Sequence, residues 1–329
     1  MIHNHTRSHQ PARTTWPRDR LLCERAIALG QAIDKSTLKT YSSSLNSYLT
    51  FIQLHHLSVE PTPDTFSFYV IFMSHHIKPW SIWSYLFGIC QQLEPYYPNV
   101  RASRHTPLVD RTMKGCLRLH STPIKIKCAL TMSDLSKVIL DLANSMEHDN
   151  LLFQTLLLTG FFALMRLGEL TFSNDVNLHN WRRVTKCSTV KISNDQYEFH
   201  LPSHKADPFF EGNHILIKSR QYCDINPLTT FTIYLDSHNQ KFPLLSPLWL
   251  TLSGSIPTCH FFIVRLQCYF KHDIAGQSMR AGGATSLAEN GVPPSLIQLI
   301  GHWSSDAFFI YIRKSPVLIQ ALLYSQQNP

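Results

Sequence analysis

At 329 residues the chain is long enough for two domains with a core each, and its 44% hydrophobic and 16% charged residues describe a globular protein rather than a disordered one. The formal net charge of +8 lies in the first part: residues 1–127 carry 15 Lys and Arg against 7 Asp and Glu, while residues 128–329 carry 15 against 15. A basic part joined to a neutral one fits a grip on a polyanion beside a more local activity, with nucleic acid the leading partner and plain solubility the alternative.

Residues 1–18 open with MIHNHTRSHQPARTTWP, which is polar and aperiodic and predicts a disordered basic arm. From 19 to 57 the apolar spacing is helical: Leu21, Leu22, Ala26, Ile27 and Leu29, then, past Asp34 as an N-cap, Leu38, Tyr41, Leu45, Tyr48, Leu49 and Ile52. EPTPDT (60–65) stops this pair, and Asp64 is placed to cap a helix running to Met73. Pro79 starts a fourth helix, through SIWSYLFGICQQL, that ends before Pro95; an amphipathic stretch near 107–119 completes a small helical bundle.

STPIKIKCALTMSDLSKVI turns extended before a helix capped at Ser133 or Asp134, so a linker is predicted near 121–130. These breaks divide the chain into the arm, an all-α domain over 19–122 and a second domain over 128–329. LLFQTLLLTGFFALM (151–165) is too short and too interrupted by Gln154, two threonines and Gly160 to span a bilayer, so it reads as a buried helix and no membrane partner is expected. Short strands follow in VTKCSTVKI (184–192), QYEFHLP (196–202) and NHILIK (213–218), with the turn-rich SHKADPFFEG between the last two. Helices return from about 227, which makes the second domain mainly α, an α+β unit with a small antiparallel sheet.

The eight cysteines form no C-x-x-C pair and no signal peptide is predicted, which points to reduced intracellular thiols rather than a disulfide framework or a zinc site. His55-His56 and His75-His76 have no cysteine or carboxylate at metal-ligand spacing, so no structural metal is expected.

Four stretches carry the candidate chemistry. In TGFFALMRLGEL, Arg166 leaves an apolar helix with Glu169 one turn later: either a guanidinium fork aimed at a phosphate and oriented by the glutamate, or an ion pair on a helix surface. In IAGQSMRAGGATSLAENG, Arg280 precedes Ala281, Gly282, Gly283 and Ala284. Either a bare helix start is open to an anion there, or the small residues serve close helix packing. GHWSSDAFFIYIRKSP sets His302 nine residues before Tyr311, both of which are equally at home in a core. Lys205 stands in the connector between two strands, where a solvated turn lysine is the plain reading.

In this order the four resemble the tyrosine recombinase (phage integrase) family: a first arginine with a glutamate a turn later, a hairpin lysine, a His-x-x-Arg, a His or Trp, and a tyrosine nine residues on. They fall on Arg166 and Glu169, Lys205, Gln277 and Arg280, His302, and Tyr311. SHKAD, SMRAGGATSLAENGVP and YIRKSP also look like the family. STLKTYSSSLNSYLTFI and KPWSIWSYLFGI are similar to its helical core-binding domain, so the resemblance covers roughly residues 19–325. The phrasing looks closest to Crypton-type recombinases of eukaryotic mobile elements.

The resemblance implies a core-binding domain followed by a catalytic domain, acting on double-stranded DNA without metal, cofactor or small-molecule substrate. The active assembly would be a homotetramer on two DNA sites, and the tail helix after the tyrosine (Val317, Leu318, Ala321, Leu322) would dock on a neighbouring protomer or fold back on its own. The setting would be intracellular, nuclear in a eukaryote. Tyr311 would attack the scissile phosphate to give a 3′-phosphotyrosine, and Lys205 would protonate the departing 5′ oxygen. The two arginines and His302 would hold the phosphate, with Glu169 supporting the first arginine. Gln277 departs from the family's histidine. Glutamine can hydrogen-bond but cannot carry a proton near neutral pH. The chain is therefore read either as a working recombinase or as a catalytically impaired DNA-binding protein on the same fold.

Overall fold

The computed structural model describes residues 13–123, 127–204, 207, 210–220, 225–270 and 273–303. Residues 1–12 of the predicted arm (1–18), part of the predicted linker and the tail stretch at Val317, Leu318, Ala321 and Leu322 lie outside the described residues. The chain forms two compact units, Met1–Ile124 and Lys125–Pro329.

The first unit is helical: α1 (Arg18–Gln31), α2 (Lys35–Leu54), α3 (Pro63–Ser74), α4 (Pro79–Leu93), α5 (Val100–Arg104) and α6 (Pro107–His120). Helices α3, α4 and α6 each begin on proline, where the missing N–H would have had no intrahelical partner and φ is already set. The cap of α3 is Thr62, whose hydroxyl accepts from the Thr65 amide; Asp64, the predicted cap, lies inside the first turn and favours the helix dipole instead. Tyr48, Phe51, Phe66, Tyr69, Ile82, Leu86, Val109 and Met113 form the core. Helix α1, predicted as part of this bundle, buries none of its residues. Leu22, Ala26 and Leu29 share one side of the helix at the predicted spacing, but they, Leu21 and Ile27 are all exposed.

The second unit begins with α7 (Met132–Asp141), α8 (His148–Phe162) and α9 (Leu167–Leu170). The cap of α7 is Thr131, two and three residues ahead of the predicted Ser133 and Asp134: its hydroxyl accepts from the Asp134 amide while the Asp134 carboxylate accepts from the Thr131 amide. Helix α8 is buried on every side from Leu151 to Phe161, Gln154 and its threonines included, as expected of a buried helix. Strands β1 (Lys191–Ile192), β2 (Gln196–Leu201) and β3 (Asn213–Lys218) form an antiparallel sheet in that order. In the β2–β3 register Tyr197 faces Ile217 and Phe199 faces Ile215, all inward. Tyr197 stacks on Phe231 with ring centroids 4.0 Å apart and gives its hydroxyl a partner in Thr159 of α8, 2.9 Å away.

The predicted strand over 184–192 shrinks to its last two residues. Upstream, the backbone hydrogen bonds go elsewhere: the Leu248 amide donates to Thr185 and the Cys187 amide to Ser246, and a short 3-10 turn (Cys187–Thr189) follows. Helices α10 (Pro227–Lys241), α11 (Cys259–Tyr269), α12 (Gln277–Glu289) and α13 (Pro294–Ile300) complete the described part, with α10 and α12 packed on α8.

Candidate active site

Two helix ends build the site, by the same backbone device. At the end of α8 the Met165 amide reaches back to the Gly160 carbonyl and the Leu164 amide to Phe161, with Leu164 left-handed at φ 53°. At the end of α13 the Trp303 amide reaches Gln298 and the His302 amide Leu299, with His302 left-handed at φ 50°. Both are Schellman closures, in which glycine is the usual occupant, and each side chain there costs on the order of 1 kcal/mol. Packing holds them: Leu164 and Trp303 share a small core with Ala284, Ala288 and Ile297. Strain of this kind concentrates at functional sites.

The first closure delivers Arg166 two residues on. Arg166 takes the N-cap position of α9, where its amide donates to Glu169 Oε2 (2.8 Å) and its Nη1 to Oε1 (3.0 Å). One carboxylate thus closes the helix start and fixes the guanidinium, with the arginine side chain about one-third exposed (31%) and the glutamate at 11%. The pair is an i, i+3 ion pair, and the same carboxylate sets the orientation of the guanidinium.

Arg280 lies one turn into α12 and is 4% exposed. Its Nη2 donates to the Gly301 carbonyl at the end of α13, and its guanidinium carbon sits 4.1 Å from the centre of the Trp303 ring. The small residues after it face inward. A Cβ on Gly282 would strike the Leu130 carbonyl and the Phe161 ring, and one on Gly283 the Phe161 carbonyl and Leu164. Of the two readings of the Ala-Gly-Gly-Ala run, the contacts at Gly282 and Gly283 favour close packing within the unit. Gln277 is the first residue of α12, exposed, one turn ahead of Arg280.

His302 completes the described part. Its ring stacks on His204 at 4.8 Å and 13°, and its Nε2 lies 3.3 Å from the Asn213 side-chain amide. Burial, foremost, holds the His302 pKa below its ordinary value; His204, Arg280 and Arg166 push the same way and Glu169 opposes them. Arg166 and Glu169 at the start of α9, Arg280 of α12 and His302 therefore share one electrostatic neighbourhood. Lys205 and Tyr311 lie outside the described residues. Sequence reasoning missed His204, Asn213 and the role of Trp303 under Arg280. His204 had a signal, since it is the residue before Lys205, but nothing in SHKAD shows what its ring meets.

No protein-family model and no curated protein sequence matches the chain. Solved structures do. The XerH site-specific recombinase bound to its palindromic difH substrate, a post-cleavage complex, aligns with a TM-score of 0.59 at 13% identity, over 88% of this chain and 80% of that one. The Tn1549 transposon integrase in complex with transposon right-end DNA gives 0.52 at 11%, over 88% and 98%. The chain has the tyrosine recombinase fold. The lambda integrase tetramer bound to a Holliday junction shares this fold with a TM-score of 0.55 at 14% identity, over 89% of this chain and 76% of that one. Within the tyrosine recombinase fold, the described arginine, glutamate and histidine positions come together in the second unit.

Proposed function

We propose that the chain is a site-specific DNA recombinase that cuts and rejoins strands through a 3′-phosphotyrosine. The carrying observation is the meeting of Arg166–Glu169, Arg280 and His302 at two strained helix ends on a tyrosine recombinase fold. Two guanidinium groups beside a neutral imidazole form a donor set suited to the nonbridging oxygens of a phosphodiester and to the charge that builds on them. Arg166, the more exposed of the two, meets the phosphate first; Arg280, anchored on the Gly301 carbonyl, adds its charge from below. The Tyr311 oxygen attacks phosphorus, its proton passing to solvent, and the 5′ oxygen leaves with a proton from Lys205. The phosphotyrosine conserves the bond energy, so the reverse attack by a 5′ hydroxyl rejoins the strand without metal or cofactor. Duplex DNA is the partner, a homotetramer on two sites the assembly, and integration or excision of a mobile element the setting that the Crypton-like wording supports.

A second reading has its own observation. Gln277 stands exposed at the start of α12 and cannot exchange a proton near neutral pH, so the chain could bind DNA and cut it poorly. General acid-base help is worth about 10² to 10⁴-fold, which sets the scale of the deficit. Covalent trapping separates the two. The protein is incubated at low salt with nicked DNA and denatured, and the DNA-linked species is compared in wild type, Tyr311→Phe and Gln277→His. An adduct in wild type that vanishes in Tyr311→Phe supports the recombinase. An adduct only in Gln277→His supports the impaired binder, and an adduct that persists in Tyr311→Phe rejects the assigned nucleophile.

A further inference from the structure

The β2–β3 hairpin and the end of α13 meet at two imidazoles. His204 leaves β2 three residues past its last strand position, and its ring lies nearly parallel to that of His302, 4.8 Å between centroids and 13° between planes. Asn213 opens β3 and points its side-chain nitrogen at His302 Nε2 from 3.3 Å. An amide N–H donates, so Nε2 accepts, and a neutral His302 then carries its proton on Nδ1. Among the described residues, the charged and titratable groups facing His302 are His204, Glu169, Arg280 and Arg166.

His302 needs such support because of where it stands. It occupies a left-handed helix-closing position, and from there its ring must be held by contacts from outside its own helix. One contact fixes an edge, through Asn213; the other fixes a face, through His204. We infer that His204 is a positioning residue of this site, holding the His302 ring in the plane in which Asn213 fixes the tautomer that offers Nδ1–H to a phosphate. The inference rests on the phosphoryl-transfer reading above. Two stacked imidazolium ions in a site that already contains two guanidinium groups repel each other, so the stack tolerates at most one added proton. His204 adds to burial in lowering the His302 pKa, so removing the 204 imidazole raises it.

The test starts without DNA, in the full chain labelled on histidine. The His302 ring signals, assigned by their loss in His302→Gln, are followed between about pH 5 and 8 in wild type, His204→Phe and His204→Ala. Phenylalanine keeps a flat face that never charges; alanine removes the face. Wild type is expected to show the Nδ1–H tautomer. His204→Phe should keep that tautomer and raise the His302 titration midpoint, and His204→Ala should raise the midpoint and mix the tautomers. A midpoint and tautomer unchanged in both variants would overturn the inference.

The second arm measures adduct formation in the trapping assay. His204→Ala should slow it by up to about 10²-fold, the scale on which misplacing a catalytic group acts, with His204→Phe recovering part of the loss. Substitution at 204 also touches the neighbour of Lys205, and the His302 tautomer in free protein is the readout that a disturbed lysine does not move. Equal rates in all three proteins would leave His204 no positioning role. If no protein forms an adduct while the titration behaves as expected, the recombinase reading fails and the imidazole pairing stands.

Discussion

His148, 2% exposed, sits at the start of α8 between Ser237 and the Leu250 carbonyl, each 2.9 Å from a ring nitrogen. A carbonyl only accepts, so Nε2 carries the proton and Nδ1 accepts from the Ser237 hydroxyl. Burial, the larger effect, holds the His148 pKa below its ordinary value, against the opposing pull of the Leu250 carbonyl. The unfolded chain therefore binds a proton at a higher pH than the folded one. This contribution to stability is full above the unfolded value of about 6.5 and shrinks as pH falls through it towards the folded value. Chemical unfolding at about pH 7.5 and 5.5 should show wild type losing more stability than His148→Gln, in which the amide still donates to Leu250. Equal losses would reject the assignment. At this scale the sequence marks which residue types carry chemistry, because Arg166 with Glu169 and Arg280 ahead of two glycines are local patterns. It leaves His148 and His204 unmarked, because a histidine's role depends on the ring or carbonyl that another segment brings to it.

Element ends carry more of the site than element interiors do. Leu164 and His302 close α8 and α13 in the left-handed region, and Arg166 just past the first closure and His302 at the second share one neighbourhood. Glycine is the usual signal for such a closure, so a leucine and a histidine there give the sequence reader no warning. The strands divide on the same logic. β2 and β3 follow the alternation of their apolar residues, with the pattern on β2 of every second residue buried, and so they match the predicted bounds closely. VTKCSTVKI alternates less and spends the Cys187 amide and the Thr185 carbonyl on the 246–248 segment. Helix α12 supplies the test at this scale. Alanine is favoured over glycine in a helix by about 1 kcal/mol. A Cβ at 283 would meet the Phe161 carbonyl and Leu164, an overpacking of roughly 1–3 kcal/mol. Gly283→Ala should therefore destabilise the protein in urea unfolding; a neutral or stabilising effect would revive the view that this backbone is kept open for a ligand.

For the whole molecule, charge and core are distributed differently. The basic excess belongs to residues 1–127, and within it Arg111, Lys114 and Arg118 line one exposed face of α6 opposite the buried Val109, Met113 and Cys116. DNA binding through such a face releases counterions, so log K should fall linearly with log salt, by about 0.9 per phosphate neutralised. Replacing all three by glutamine in the full chain should flatten that slope by up to about 2.7. An unchanged slope would move the electrostatic grip elsewhere. The sequence by itself determined the helices, the central buried α8, the hairpin, and the order in which Arg166, Glu169, Lys205, Gln277, Arg280, His302 and Tyr311 occur. These are properties of neighbours within a few residues, or of spacing, and periodicity records them. Only the tertiary structure decided that Arg280 is buried on a carbonyl and a tryptophan, that two glycines face a helix rather than a ligand, and that His204 covers His302. Each of those facts joins segments far apart in the chain, and what joins them is core packing, which no local pattern encodes.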